Sequence, residues 1–155
     1  MGLAHDGRLA LRDARLPWDR ELEVSADFTA TGAHRAALTL LDRPDRPTAV
    51  LAESDEMAFG VMAAARGLGL RIPEDLSVVG IDDHEVSGAL GLTTISQPVR
   101  TLGELAALQL AGMIADHAGS TPSARVVVPT MLVVRATTAP PGQARPAPTG
   151  RRRGR

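Results

Sequence analysis

The sequence has no cysteine and no lysine, and these two absences exclude several kinds of chemistry. Without cysteine the chain can form no disulfide, no thiol nucleophile and no cysteine-ligated zinc site. All 17 basic residues are arginine, which excludes a Schiff-base lysine, the lysine of a phosphate-binding loop and the lysine that a receiver domain places beside its phosphorylated aspartate. A GC-rich coding bias is the simplest reason for this arginine preference, so it serves only to exclude functions.

Aromatic residues and long hydrophobic runs are also scarce. Aromatic residues make up 2% of the chain, and no window approaches the about 20 apolar residues of a membrane span. Residues 1–16 have no apolar core of the kind that an export signal needs. The net charge of −1 gives no general attraction to nucleic acid or to membranes. With 155 residues the chain has enough apolar material for one core, and we expect a cytoplasmic protein with no membrane partner.

Two short apolar runs, at residues 49–52 and 78–81, have the length and composition of buried strands. Residues 56–68 between them have the pattern of a helix, with Ser54 or Asp55 as its N-cap and glycines at its end. A strand, helix, strand unit of this kind requires a right-handed crossover between parallel neighbours. The sequence therefore predicts a parallel α/β sheet.

Polar side chains follow both predicted strands. Ser54 comes shortly after the first strand, and Asp82 and Asp83 come directly after the second. Because the carboxyl ends of parallel strands meet at one edge of a sheet, we expect these side chains to lie at the same edge. Open parallel sheets bind their ligands beyond that edge, so the sequence predicts a ligand site there.

The rest of the sequence predicts further elements and a tail. In chain order these are a helix at residues 9–16, a strand at 22–24, a helix at 32–41, a strand at 93–96, a helix from Pro98 to residue 117, and strands at 126–128 and 131–134 that Pro129 separates. From residue 139 the sequence is rich in proline and arginine and has no apolar periodicity. We therefore predict one domain over residues 1–138 and a disordered tail over 139–155.

Three motifs carry a family resemblance. They are SDEMAFGVMAAARGLGLRIPEDLSVVGIDD at residues 54–83, LTTISQP at 92–98 and VVVPTMLVVRATTAPP at 126–141. Their order and spacing resemble the C-terminal part of a LacI/GalR-family transcriptional regulator over residues 11–141. The resemblance implies a truncated C-terminal subdomain of the type I periplasmic-binding-protein-like fold, with a parallel sheet in three α/β/α layers. It also implies that the domain senses a small-molecule effector, first of all a sugar and otherwise a nucleobase-like compound, and needs no cofactor.

The resemblance assigns an effector-binding role to Asp82 and Ser54. The aspartate that matches Asp82 in sugar-responsive relatives accepts hydrogen bonds from ligand hydroxyls or ring nitrogens; without the resemblance, Asp82 and Asp83 would both be read as simple turn acids. Asp83 is expected to be structural. Many relatives have asparagine at the position of Ser54, so serine has a shorter reach and one fewer donor there. A helix N-cap is an equally good role for Ser54.

The resemblance assigns two more effector contacts, Phe28 and Gln97. Phe28 matches an aromatic residue that stacks on a sugar or base, and the alternative is a core phenylalanine. Gln97 precedes Pro98 where the chain crosses between subdomains, and the alternative is a role in capping the hinge. Arg8 is the nearest candidate for an arginine that relatives present from their first helix, but it is out of register.

The resemblance also shows what relatives have and this sequence does not. A relative would begin with a helix-turn-helix, a hinge helix and an N-terminal subdomain, and we expect DNA binding only through that missing part. Full-length relatives are expected to form homodimers. In the family topology one absent strand lies between the predicted strands at residues 22–24 and 49–52, and the partner of the helix that begins at Pro98 is absent as well. We therefore expect a truncated chain that is prone to aggregate.

Other classes of protein fit the sequence less well. Asp82, Asp83, His84 and Glu85 have the donor types of a metal site, yet consecutive loop residues rarely converge on one ion, and no second cluster completes the shell. A nucleophilic serine would need a glycine-flanked elbow, which Ser54 does not have. We therefore expect no enzyme and no metal site. The main alternative is a solute-binding protein of a sugar uptake system, which would carry an export signal.

Overall fold

The computed structural model describes residues 3–115 and 125–140, with side chains from residue 7 onward. The helices are α1 (Leu3–Asp13), α2 (Ala30–Leu41), α3 (Asp55–Gly67), α4 (Glu85–Ala89) and α5 (Val99–Ala115), and the strands are β1 (Ala49–Leu51), β2 (Ser77–Asp82), β3 (Thr93–Ser96) and β4 (Met131–Val133). A single 3-10 turn spans Arg20–Leu22. None of the helices in these ranges is long and apolar enough to cross a membrane.

The four strands form one sheet in the order β1-β2-β3-β4. β1, β2 and β3 are parallel, with Val50 opposite Val78 and Gly80 opposite Thr94. β4 runs antiparallel to β3. The predicted strand, helix, strand unit and the predicted parallel α/β fold class are therefore confirmed.

Side-chain caps set the start of the two helices that pack on each other. Thr29 Oγ1 accepts a hydrogen bond from the Gly32 N–H at 3.0 Å at the start of α2, and Ser54 Oγ accepts one from the Met57 N–H at 3.2 Å at the start of α3. Each bond satisfies a backbone donor that has no partner within its helix. Both helices begin within two residues of the predicted positions.

Small residues let α2 and α3 approach closely. A Cβ atom at Gly60 of α3 would overlap the carbonyl group of Ala30 in α2. Ala58, Ala64 and Ala65 of α3 are completely buried. The centre of the core is formed by these alanines and by buried aliphatic side chains of α2, the sheet and the loops beside it: Leu41, Leu76, Val78 and Leu92.

Two predicted strands are wrong. Residues 22–24 do not form a strand, and Leu22 and Val24 are nearly half exposed, at 42% and 45%. A strand needs a hydrogen-bonded neighbour, and among the described residues β1 is the edge of the sheet with no strand on its outer side. Residues 126–128 also lack strand structure. Met131 already pairs with Ser96, the last residue of β3, so β3 offers no partner to the residues before Met131.

The predicted apolar stripe of α5 lies at the surface. No residue of α5 is buried, and Leu102, Leu110 and Met113 are 40–58% exposed. Within the described residues this stripe is therefore exposed. The predicted end of this helix, at residue 117, lies outside the described residues.

The chain after β4 forms hydrogen bonds with β2 and β3, the two central strands of the sheet. Thr137 Oγ1 donates a hydrogen bond to the Val78 carbonyl at 2.7 Å and accepts one from the Thr93 N–H at 2.8 Å. Ala139 exchanges two hydrogen bonds with Ser77, so ordered contacts reach residue 139. Residues 141–155 of the predicted tail lie outside the described residues.

Candidate functional site

The carboxyl ends of β2 and β3 lie side by side. Asp82 is paired with Ser96 in the register of these strands, and Gln97 follows Ser96 directly. The Gln97 Nε2–H group donates a hydrogen bond to Asp82 Oδ1 at 2.8 Å. The structure therefore brings together two of the four residues that the sequence singled out, and the amide fixes the direction of the Asp82 carboxylate.

Asp82 keeps most of its capacity to accept hydrogen bonds. Its side chain is exposed, and the bond from Gln97 occupies one of the about four lone-pair positions of a carboxylate. Hydrogen bonds to a charged acceptor are stronger than those between neutral groups. The exposed carboxylate can therefore hold two hydroxyl or N–H donors of a ligand.

The backbone turns sharply at Asp82 and Asp83, where φ is 125° and 59°. Aspartate is among the few residues other than glycine that tolerate a positive φ. The turn is held by the Asp83 N–H, which donates to Thr94 Oγ1 at 3.4 Å, and by Arg135 Nη2, which donates to Asp83 Oδ1 at 2.6 Å. Asp83 thus has the structural role that the sequence predicted.

Ser54 is the N-cap of α3, one of its two predicted roles. Its Oγ accepts the Met57 N–H, which leaves the hydroxyl proton available for a ligand. The side chain is half-buried. Ser54 also lies just beyond β1, so the cap and a ligand contact are compatible at this position.

Phe28 is not a core residue. Its side chain is 62% exposed, and it lies in a turn with φ of 52° just before Thr29, the cap of α2. The Ala30 N–H donates to Glu56 Oε1 at 3.4 Å, which ties the start of α2 to the start of α3. Phe28 therefore lies near the end of α3 that Ser54 caps.

Asp55 is central to this edge, and sequence reasoning treated it only as a possible cap. Its side chain is 1% exposed. Oδ2 accepts hydrogen bonds from the His84 N–H at 2.8 Å and from Ser87 Oγ at 2.5 Å, and Oδ1 accepts one from Thr94 Oγ1 at 2.5 Å. The sequence signal was weak, because an acid in the first turn of a helix is common and its partners lie 29 to 39 residues further on.

Arg135 is a second residue that sequence reasoning missed. Besides its bond to Asp83, its Nη1 donates to the Leu92 carbonyl at 2.7 Å, and its backbone N–H donates to Thr93 Oγ1 at 2.9 Å. The side chains of Arg135 and Asp83 are 23% and 28% exposed. Arg135 therefore joins the segment after β4 to the turn that carries Asp82.

The acidic run after β2 is not arranged as a metal site. Within residues 3–115 and 125–140, no group of three histidine, cysteine or acidic side chains is placed to hold an ion. His84 Nδ1 instead accepts the Val86 N–H at 3.2 Å.

The profile of a family described as a periplasmic binding protein-like domain matches residues 8–138. The match covers most of the chain, so the chain belongs to this family.

Curated relatives narrow the class further. The HTH-type transcriptional repressor PurR of Photorhabdus laumondii is 40% identical over 108 residues, which are 68% of this chain and 32% of that protein. The PurR repressor of Yersinia pestis is 42% identical over 108 residues, with the same shares of each chain. The chain thus spans about a third of the length of the curated relatives it matches.

Solved structures agree with this class. A LacI-family transcriptional regulator from Mycobacterium smegmatis is 37% identical, with a TM-score of 0.76 over 89% of this chain and 52% of that one. The transcriptional regulator CelR in complex with cellobiose is 36% identical, with a TM-score of 0.77 over 84% of this chain and 40% of that one. A LacI-family regulator from Enterococcus faecium with bound ribose is 31% identical, with a TM-score of 0.75 over 87% of this chain and 50% of that one. The chain is part of the effector-binding domain of a LacI-family regulator.

Proposed function

We propose that this chain is the effector-sensing part of a LacI-type transcriptional repressor and that its effector is a sugar. In this proposal the effector binds at the edge of the sheet formed by Asp82, Gln97, Ser54 and Phe28. The domain would act in the cytoplasm, and DNA would be contacted only by parts that relatives have beyond the matched third of their length.

The observation that carries the proposal is the Asp82–Gln97 pair at the ends of two neighbouring parallel strands. The amide orients the carboxylate through a 2.8 Å hydrogen bond, while the carboxylate stays exposed. A carboxylate held in this way can accept hydrogen bonds from two adjacent hydroxyl groups, which sugars carry on neighbouring ring carbons. Two of the regulators with similar structures hold ribose and cellobiose.

Phe28 and Ser54 supply complementary chemistry in this proposal. The exposed ring of Phe28 offers an apolar face on which the C–H face of a sugar ring can stack. The Ser54 hydroxyl can donate to a sugar oxygen while its oxygen still caps α3. The relatives named above are regulators, which supports this role over a solute-binding protein of an uptake system.

The class of effector can be tested by following the thermal unfolding of the purified chain with a pentose, a disaccharide and a purine base. A ligand that binds the folded state raises the midpoint of unfolding, and the rise grows with the ratio of ligand concentration to Kd. We expect ribose or cellobiose to raise the midpoint and the purine base to have no effect. A shift with the purine base alone would replace the sugar with a nucleobase-like effector, and no shift with any of them would contradict the proposal.

A further inference from the structure

Asp55 is a buried carboxylate that connects three parts of the structure behind the proposed site. It accepts hydrogen bonds from the backbone of the loop after β2, at His84, from α4, at Ser87, and from β3, at Thr94. All three donor to acceptor distances are 2.8 Å or shorter. A buried carboxylate is stable only when its oxygens are satisfied in this way.

The Thr94 hydroxyl group donates one hydrogen bond and accepts another, and the two bonds link Asp55 to Asp83. The Thr94 hydroxyl has a single proton, which it donates to Asp55 Oδ1. The same oxygen accepts the N–H of Asp83 at 3.4 Å. Asp55 therefore acts on the backbone of residue 83 through Thr94 and on the backbone of residue 84 directly.

The sheet leaves space for Asp55 beside the strand that carries Asp82. A Cβ atom at Gly80, two residues before Asp82, would collide with Asp55 Oδ1. Gly80 is also the register partner of Thr94. The absence of a side chain at Gly80 thus permits the contact between Asp55 and Thr94.

We infer that Asp55 is a positioning residue that sets the direction of the Asp82 carboxylate. The positive φ angles of Asp82 and Asp83 persist only where the surrounding structure holds them. Asp55 accepts the His84 N–H directly and is linked to the Asp83 N–H through Thr94. Its loss should therefore loosen the turn and the Gln97 contact, with Arg135 as the remaining partner of Asp83. The statement that Asp82 binds the effector rests on the proposed function, whereas the control of Asp82 by Asp55 does not.

The test uses the full chain and the side-chain amide resonances of Gln97, which report its hydrogen bond to Asp82. Asp55→Asn and Thr94→Val keep the approximate shape of each side chain but remove hydrogen bonds that link Asp55 to the turn. We expect both variants to move the Gln97 amide resonances toward their positions in Asp82→Ala. Thr94→Ser keeps the hydroxyl and should leave them unmoved.

A control separates positioning from stability. Val61→Ala removes buried apolar volume in α3, away from the turn, and should lower stability without moving the Gln97 resonances. Unmoved Gln97 resonances in Thr94→Val, or equal movement in Val61→Ala, would overturn the inference. If Asp55→Asn does not fold, Ser87→Ala is used in its place. This variant removes one of the hydrogen bonds that Asp55 accepts and keeps the carboxylate.

Ribose and cellobiose titrations link this inference to the effector. If the chain binds either sugar, Thr94→Val should weaken binding at least about fivefold and Thr94→Ser should not. Unchanged affinity in Thr94→Val would overturn the link between Asp55 and binding. Failure of the native chain to bind either sugar would count against the proposed effector class, while the Gln97 resonances would still decide whether Asp55 positions Asp82.

Discussion

Neighbouring acidic residues have different roles in this structure. The Asp82 side chain is exposed and accepts a hydrogen bond from Gln97. Asp83 is partly buried and forms an ion pair with Arg135. Asp55 is fully buried and accepts hydrogen bonds from three donors. Asp82 ends β2, Asp83 follows it and Asp55 is the first residue of α3 after β1, so the three acids follow strands in the chain but differ in burial and in partners.

The ion pair of Asp83 and Arg135 should contribute to stability. Asp83→Ala is expected to lower the free energy of unfolding by about 1–2 kcal/mol, because it leaves Arg135 without its charged partner in a partly buried position. The measurement is urea unfolding of Asp83→Ala, of Arg135→Gln and of the double variant. Strictly additive losses in the double variant would show that the two side chains do not interact.

At this scale the sequence predicted individual roles better than contacts. The role of Ser54 as a cap could be predicted because it depends on a neighbour three residues away, and a turn at Asp83 because aspartate is itself a common turn residue. The contact between Gln97 and Asp82 spans 15 residues, and that between Arg135 and Asp83 spans 52. Such contacts depend on how the strands are paired, which local patterns do not specify.

Among the elements, those with a local cause were predicted best. The helices α2 and α3 have cap residues at their starts, and both begin within two residues of the predicted positions. The predicted strand at residues 22–24 was wrong because strand formation requires a neighbour, which a local apolar pattern cannot supply. A helix satisfies its own backbone and has no such requirement.

The close contact between α2 and α3 can be tested at Gly60. Gly60→Ala places a Cβ atom against the Ala30 carbonyl, so we expect a loss of about 2 kcal/mol or more from overpacking. Gly67 lies in the same helix, and a Cβ atom added there would have no neighbouring atom within 4 Å. Gly67→Ala should therefore be neutral or stabilise by up to about 1 kcal/mol. The measurement is the free energy of unfolding of both variants in urea. Equal effects at the two positions would contradict this packing.

The turn between α3 and β2 should make stability depend on pH. The Arg71 guanidinium and backbone N–H bond to the Asp75 carboxylate and hold the pKa of Asp75 well below its usual range. A lowered pKa in the folded state stabilises the fold above the unfolded pKa of about 4, and this stabilisation is lost as the pH falls below that value.

Asp75→Asn removes this dependence. At pH 7 the variant should be less stable than the native chain by roughly 1 kcal/mol, since the pair is partly exposed. The difference should shrink as the pH falls below about 4, because the unfolded carboxylate takes up its proton there while the folded carboxylate, with its lowered pKa, stays charged to lower pH. Urea unfolding of both proteins across this range is the measurement. A difference that stays constant with pH would assign the effect to packing and not to the charge.

At the scale of the whole molecule, the described part of the chain leaves one edge of the sheet and the apolar residues of one helix exposed. β1 is an edge strand in the described part of the chain, with Leu51 57% exposed. The side chains of Leu108 and Ile114 on α5 are 71% and 69% exposed, and Val127 is 75% exposed. Monomeric proteins rarely leave apolar patches of this kind in water.

These surfaces should make the isolated chain self-associate. We expect sedimentation velocity to show oligomers that increase with protein concentration, and polar substitutions on α5, such as Leu108→Gln with Ile114→Gln, to reduce them. The double substitution should leave the unfolding midpoint unchanged, because neither side chain is buried. A native chain that sediments as a monomer at all concentrations would contradict this expectation.

Asp82 as the centre of an effector site is the main claim about the whole molecule. Calorimetric titration of ribose and cellobiose into the native chain, Asp82→Ala and Asp83→Ala tests it most directly. Loss of a charged acceptor of two hydroxyl groups should weaken binding on the order of tenfold to a hundredfold in Asp82→Ala, whereas Asp83→Ala should change stability more than affinity. Unchanged affinity in Asp82→Ala, or a larger loss of binding in Asp83→Ala, would contradict the claim.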